Sequence, residues 1–100
     1  MLDISIVIPL YNEEESLPEL VAWIDRVCVE HKYAYEVVMI DDGSRDNSWE
    51  VVRGLAAKYP AVKAIRFQRN YGKSPALYEG FKAASGKVVI TMDADLQDSP

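Results

Sequence analysis

Near its C-terminal end the chain carries two carboxylates one residue apart, Asp93 and Asp95, with the amide of Gln97 two positions further on. They follow Lys87-Val88-Val89-Ile90-Thr91-Met92, a largely β-branched run free of glycine and proline that reads as a buried strand. Acids crowded at a strand end need their repulsion relieved by water, a hydrogen-bond donor or a cation. Hard oxygen donors of this type suit Mg²⁺ or Mn²⁺ and suit zinc poorly. A solvated acidic turn would carry the same residues, so the pair acquires meaning only if other polar groups converge on it.

The elements that would bring such groups together can be taken in order. Ile4 to Pro9 is an almost continuous apolar run, expected to be a strand buried on both faces and ended by Pro9. Ser16-Leu17-Pro18-Glu19 has the Ser-x-x-Glu form of a capping box, and Leu17, Leu20, Val21, Ile24, Val27 and Cys28 recur at helical spacing behind it. Glu14 and Glu15 suit the positive end of that helix, whereas Glu13 lies nearer the strand end and can face a site. A second strand, Tyr35 to Ile40, again stops at acids, Asp41 and Asp42. Turn and cap residues 43–48 lead into a helix marked by Trp49, Val52, Leu55, Ala56 and Tyr59. Val62 to Phe67 alternates with period two and is expected at or near a sheet edge. Residues 68–73 form a loop, Ser74-Pro75 reads as a cap with proline at the first helical position, and Ala76, Leu77, Gly80, Phe81 and Ala84 mark the third helix, closed by Gly86.

The order β-α-β-α-β-α-β with right-handed crossovers predicts an α/β, Rossmann-like fold: a mostly parallel four-stranded sheet with helices on both faces. Ligands of such sheets lie beyond the carboxyl ends of the strands, where strand order reverses. Pro9 to Glu13, Asp41-Asp42, Arg69 to Lys73 and Asp93 to Asp95 follow the four strands in turn. Polar groups far apart in sequence are therefore expected along one edge.

Composition sets the outer bounds. One hundred residues with 49% hydrophobic content make one domain, 1–100. A net charge of −5 argues against a nucleic-acid partner, which needs a basic footprint. The single cysteine, Cys28, excludes an internal disulfide and is expected to pack in a helix face. No apolar run is long enough to span a bilayer, and Asp3 without a basic flank is unlike a secretory signal. The chain stops just after its acidic pair, so a longer parent protein is expected.

The first strand-to-helix turn lacks Gly-x-Gly-x-x-Gly and a Walker lysine, so a diphosphate is not cradled in the Rossmann manner. Above an acidic rim it would need a divalent ion bridging it to Asp95 and Gln97, with Asp93 a further possible ligand, and that ion would stabilise charge on a departing diphosphate. Asp41 is a candidate acceptor for the edge of a base, Asp93 for a ribose diol, Tyr11 for an aromatic face, and Arg69 and Lys73 for phosphate oxygens.

Four segments together, Ile6-Val7-Ile8-Pro9-Leu10-Tyr11-Asn12-Glu13, Asp41-Asp42-Gly43-Ser44-Arg45-Asp46, Arg69-Asn70-Tyr71-Gly72-Lys73 and Asp93-Ala94-Asp95-Leu96-Gln97-Asp98-Ser99-Pro100, resemble the N-terminal half of a family 2 glycosyltransferase of GT-A fold. Within that family the chain is most similar to the polyprenyl-phosphate branch, which includes dolichol-phosphate mannose synthases. The resemblance implies a UDP- or GDP-sugar donor, an undecaprenyl or dolichyl phosphate acceptor, transfer of a hexose with inversion, and Mg²⁺ or Mn²⁺. It implies that Pro9, Leu10, Tyr11, Glu13 and Asp41 meet the nucleoside, Asp93 and Ala94 the ribose and diphosphate with Lys73 near the phosphates, and Asp95 and Gln97 the metal. It also implies a parent enzyme at the cytoplasmic face of a membrane, with its acceptor site or base beyond Pro100. The 100-residue chain alone is then expected to bind donor weakly and to be inactive, and its cut sheet edge is expected to pair with a second copy.

A saccharide acceptor in cell-wall or exopolysaccharide synthesis is the alternative within the family. Outside it stand an Asp-x-Asp phosphatase, a phospho-receiver, and a non-catalytic or structural α/β domain. The first two require their acids after the first strand, and here the pair follows the fourth.

Overall fold

A computed structural model describes residues 2–94. The elements are β1 (Ile4–Leu10), α1 (Leu17–Glu30), β2 (Tyr35–Asp41), α2 (Ser48–Lys58), β3 (Val62–Arg66), α3 (Lys73–Ala83) and β4 (Val88–Thr91). All strand pairs are parallel, in the order β3-β2-β1-β4. The chain steps outward from β1 to β3, then returns through α3 to place β4 on the other side of β1.

Side-chain alternation divides the core. Ile6, Ile8, Leu10, Val37 and Met39 pack against Leu17, Leu20, Val21, Ile24 and Cys28 of α1 and Val52 and Leu55 of α2. Val7, Val38 and Ile40 point to the opposite face, where they meet Ala76 of α3. Both faces of β1 and β2 are thus covered, which is why these strands read as unbroken apolar runs. Helix α3 sits close to the sheet through Gly80, where a Cβ would fall inside Val7 Cγ1 and 2.8 Å from Ile40 Cδ1. Burial, and after it the charge of Asp25, pushes the Cys28 thiol up from its ordinary pKa, so this residue is a packing group. Among the described residues no helix is long and apolar enough to cross a membrane.

Several local expectations are corrected. Pro9 lies inside β1, opposite Ile40 of β2. Val7 accepts from Met92 N and Leu10 from Asp42 N, so odd residues of β1 turn their backbone to β4 and even ones to β2. The missing N–H of Pro9 therefore faces β4, beyond the last β1–β4 pair at Val7 and Thr91, and ends that ladder without ending the strand. β4 is exposed, from 55% at Val88 to 42% at Ile90, because it lies at the sheet edge and α3 covers β1 and β2 instead. Phe81 of α3 is exposed as well. Ser16 makes no side-chain cap and the expected box with Glu19 does not form: its backbone is already helical (φ −91°, ψ −16°), which turns the hydroxyl away from the first-turn amides. α3 begins two residues earlier than Ser74-Pro75 implied, at Lys73 with Gly72 as its N-cap, and ends at Ala83 with Ala84 as its C-cap. Gly86 instead lies flat on β1, its N–H donating to Ser5 Oγ at 2.7 Å.

At the N-terminal end of the sheet Glu36 is buried. Its Oε2 accepts from Ser5 Oγ (2.6 Å), Ser85 N (2.7 Å) and Ser85 Oγ (3.2 Å), and its Oε1 meets Lys63 Nζ at 2.6 Å. Burial alone would raise the carboxyl pKa; the hydrogen bonds from Lys63, Ser5 and Ser85 outweigh it and hold it at about 2.

Candidate functional site

Strand order reverses between β1 and β4, and the loops leaving their carboxyl ends part to form a cavity of about 370 Å³. Pro9, Leu10, Tyr11, Glu13, Asp42, Asn70, Gly72, Lys73, Asp93 and Ala94 line it. A hollow of about 180 Å³ adjoins it and shares Pro9, Lys73 and Asp93.

The cavity wall is assembled by hydrogen bonds between loops. Asn12, in the left-handed region (φ 54°), which asparagine tolerates better than most residues, donates its N–H to Ser44 Oγ at 2.8 Å. Its Oδ1 accepts from Arg45 N (2.8 Å) and Asp46 N (3.3 Å). Glu13 N donates to the buried Ser48 Oγ (2.9 Å), and Asn47 N donates to Glu14 Oε1 (3.0 Å), so Glu14 serves the start of α2 as well as lying before α1. Asp46 accepts from Ser48 N at 2.8 Å; burial pushes its carboxyl up, but bonds from Ser48 and Glu14 prevail and hold it below the usual range.

The third loop is tied to β2 by Asp42. Its carboxylate accepts from Tyr71 N (2.8 Å), Gly72 N (3.0 Å) and Asn70 Nδ2 (3.2 Å). Gly43, at φ 76°, makes the approach possible, since a Cβ there would lie 2.5 Å from Asn70 N. Lys73, just beyond this anchored turn, reaches across the cavity to Asp93 Oδ1 at 3.2 Å. The fourth segment is fastened by Ser16, whose hydroxyl donates to the carbonyl of Ala94 at 2.9 Å.

Of the residues singled out from sequence, Pro9, Leu10, Tyr11, Glu13, Lys73, Asp93 and Ala94 share the cavity wall. Asp41 does not line it. As the last residue of β2 it is buried, with Oδ1 accepting from Ser44 N (2.8 Å) and Oδ2 meeting no hydrogen-bond partner among the described residues. Asp42, one residue past the strand, faces the cavity in its place. Arg69 is not part of the wall; its Nε donates to Tyr71 OH at 3.1 Å and its guanidinium lies over that ring. Asp95 and Gln97 lie outside the described residues. Asp42, Asn70 and Gly72 lie in segments expected at this edge but were given no role of their own; for Asp42 the signal is its place directly after Asp41, since successive side chains turn to opposite sides.

A family model described as glycosyl transferase family 2 matches residues 5–100. The chain belongs to that family. It is 49% identical over 98 residues to an undecaprenyl-phosphate 4-deoxy-4-formamido-L-arabinose transferase of Pseudomonas fluorescens, covering 97% of this chain and 29% of the relative. It is 46% identical to the protein of that name in Aeromonas hydrophila, with 97% and 30% covered. The family 2 chain thus spans under a third of the relatives it matches. Among solved structures it is similar to a mannosyltransferase of Pyrobaculum calidifontis in complex with GDP-Man and Mn²⁺, with a TM-score of 0.80, 28% identity, and 95% and 30% of the two chains covered. TarS of S. aureus in complex with UDP-GlcNAc gives a TM-score of 0.79 at 26% identity, with 94% and 27% covered. The four-stranded parallel sheet with α1 and α2 on one face and α3 on the other is the GT-A architecture expected from the motifs.

No group of three acidic, histidine or cysteine side chains able to hold a metal gathers among the described residues of this family 2 domain. Asp93 is the described member of the proposed ligand set. Its carboxylate is 66% exposed, as is Lys73, and such an exposed ion pair is weak. A hard oxygen donor held, among the described residues, by a solvated lysine is one that a divalent cation can take over, so the residue present fits the ion.

Proposed function

We propose that this domain binds the nucleoside diphosphate of a UDP- or GDP-linked sugar in the 370 Å³ cavity, and that the whole protein transfers a hexose from it, with inversion, to a polyprenyl phosphate. The observation that carries the reading is the convergence of four loops on one cavity at the β1–β4 switch point, in a chain of the family. Pro9, Leu10, Tyr11 and Glu13 form the nucleoside wall, with Tyr11 offering its ring. Asp41, the acceptor proposed for an N–H of the base, stands behind that wall with its Oδ2 lacking a hydrogen-bond partner among the described residues. Asp93 and Ala94 border the ribose and diphosphate, and Lys73 exchanges Asp93 for phosphate oxygens. Mg²⁺ or Mn²⁺ held by Asp95 and Gln97, with Asp93 within the same segment, would supply positive charge to the departing diphosphate.

The acceptor rests on relatives named as undecaprenyl-phosphate transferases and on chemistry: a phosphate monoester is anionic at neutral pH and attacks without a base, whereas a sugar hydroxyl needs one. The parent acts at the cytoplasmic face of the membrane, and the 100-residue chain alone turns over little or no donor. Its exposed β4 edge pairs with a second copy, which sedimentation checks; a monomer at high concentration rejects that pairing. Calorimetry with UDP and GDP, with and without Mn²⁺, tests the site. Binding of one nucleotide that strengthens with Mn²⁺ is expected. Absence of metal-dependent binding for both overturns the reading.

A further inference from the structure

Ser16 stands at the start of α1, yet its hydroxyl caps nothing in that helix. A hydroxyl has one proton to give. The shorter of its two contacts is to Ala94 O at 2.9 Å, against 3.4 Å to Glu13 O. Ala94 is buried in the α1 side of the core, so its carbonyl is withdrawn from water and needs a protein donor. Ser16 is that donor across 78 positions of sequence.

We infer that Ser16 is a positioning residue for the acidic segment, acting through the Ala94 carbonyl. The inference rests on the proposed metal-assisted reading of the site. The Ala94 carbonyl is held by Ser16 and the Ala94 methyl is buried against the core, so the chain is tethered at the residue that directly follows Asp93. The two clamps sit at the residue between the carboxylates. Glu13 contributes as well: its carbonyl accepts from Ser16 N at 3.2 Å, so the cavity-lining turn after β1 and the acidic segment after β4 share one anchor. Helix α1 gives up a side-chain cap, and the freed hydroxyl orders the place where cation affinity requires order.

The test uses isotope-labelled chain, Mn²⁺ alone as probe, and three variants: Ser16→Ala, Ser16→Gly and Ser16→Thr. Glycine is nearly as good as serine at a helix N-cap, so Ser16→Gly remains folded if alanine does not. Two signals are read by NMR: the Ala94 carbonyl shift without metal, and the Mn²⁺ concentration that half-broadens Asp93. Loss of the donor in Ser16→Ala and Ser16→Gly is expected to move the Ala94 carbonyl shift and to raise the Mn²⁺ requirement about tenfold, the effect of removing a partner that orients a metal ligand. Ser16→Thr keeps the hydroxyl and stays with the parent chain in both. An unmoved carbonyl shift, or a Mn²⁺ requirement equal to that of the parent chain, overturns the inference and leaves the reading of the site intact. A parent chain whose Asp93 signal Mn²⁺ never broadens overturns that reading, and the role of Ser16 with it.

Discussion

Glu36→Gln is the perturbation whose magnitude follows most directly from the structure. The glutamate is 3% exposed, and its folded-state pKa of about 2 lies below the ordinary 4.5. At about 1.4 kcal/mol for each tenfold change in proton affinity, this lowering makes the ionised form contribute on the order of 3 kcal/mol more than the neutral one. Lys63 is 53% exposed, so part of its share is screened, and about 2–3 kcal/mol is the figure to test. In the glutamine variant the amide oxygen serves Ser5 and Ser85, leaving the NH₂ to face the Lys63 ammonium, donor against donor. Lys63 swings into water and the pair is lost. The sign follows from a depressed carboxylate: its contribution is complete above pH 4.5 and disappears as pH falls through about 2. Urea denaturation at pH 7, 4.5 and 3 measures it, with the parent-minus-variant difference cancelling the titration of other acids. The expected gap is about 2–3 kcal/mol at pH 7, little changed at pH 4.5 and clearly smaller at pH 3. A gap below about 1 kcal/mol at pH 7, or one that stays constant with pH, refutes the account of Glu36 as a buried, charge-stabilised anchor.

Three further outcomes are expected. Asp42→Ala leaves Tyr71 N and Gly72 N without their acceptor, lowers stability by about 1–3 kcal/mol in denaturant titration, and weakens nucleotide binding in calorimetry because Lys73 loses its anchored base. Gly80→Ala drives a methyl into Val7 and Ile40 and costs about 1–3 kcal/mol, whereas Gly54→Ala, in open space on α2, is neutral or stabilising; thermal unfolding distinguishes the two. Lys73→Met leaves stability within about 0.5 kcal/mol, since its ion pair is exposed, but lowers affinity for UDP or GDP about tenfold while leaving affinity for the bare nucleoside unchanged.

Element order, parallel pairing and the edge position of β3 were legible because they depend on periodicity and on the crossover rule, which are local or topological. What escaped depends on a neighbour far away in sequence. Ser16-Leu17-Pro18-Glu19 is a capping box in pattern, yet the hydroxyl finds a buried carbonyl 78 residues on, and no local rule weighs those alternatives. Pro9 reads as a strand terminator until it is known that its nitrogen faces the side on which β4 has already stopped pairing. Val88, Val89 and Ile90 have the composition of a covered strand, but coverage belongs to the helix, and α3 lies over β1 and β2. Asp41 and Asp42 differ only in parity, and parity could be assigned only once the last residue of β2 was known.

The two ends of the sheet spend their polar groups differently, and this difference carries the functional argument. At the N-terminal end Glu36 is tied down: three donors meet one oxygen, and the other is paired with the Lys63 ammonium. At the carboxyl end Asp42, Asn12 and Ser48 are consumed in holding loops, but they hold them apart around a cavity, and Asp41 keeps a buried oxygen with no hydrogen-bond partner among the described residues. Leaving such an oxygen unmet costs about 1–3 kcal/mol, a cost a fold of this size bears more readily where a ligand can offset it. The locked end stabilises the sheet on which the open end is built. Glu36→Gln should therefore lower stability without changing nucleotide affinity in the folded chain, and Lys73→Met the reverse; a variant at either end that moved both quantities equally would show that the two ends are not independent.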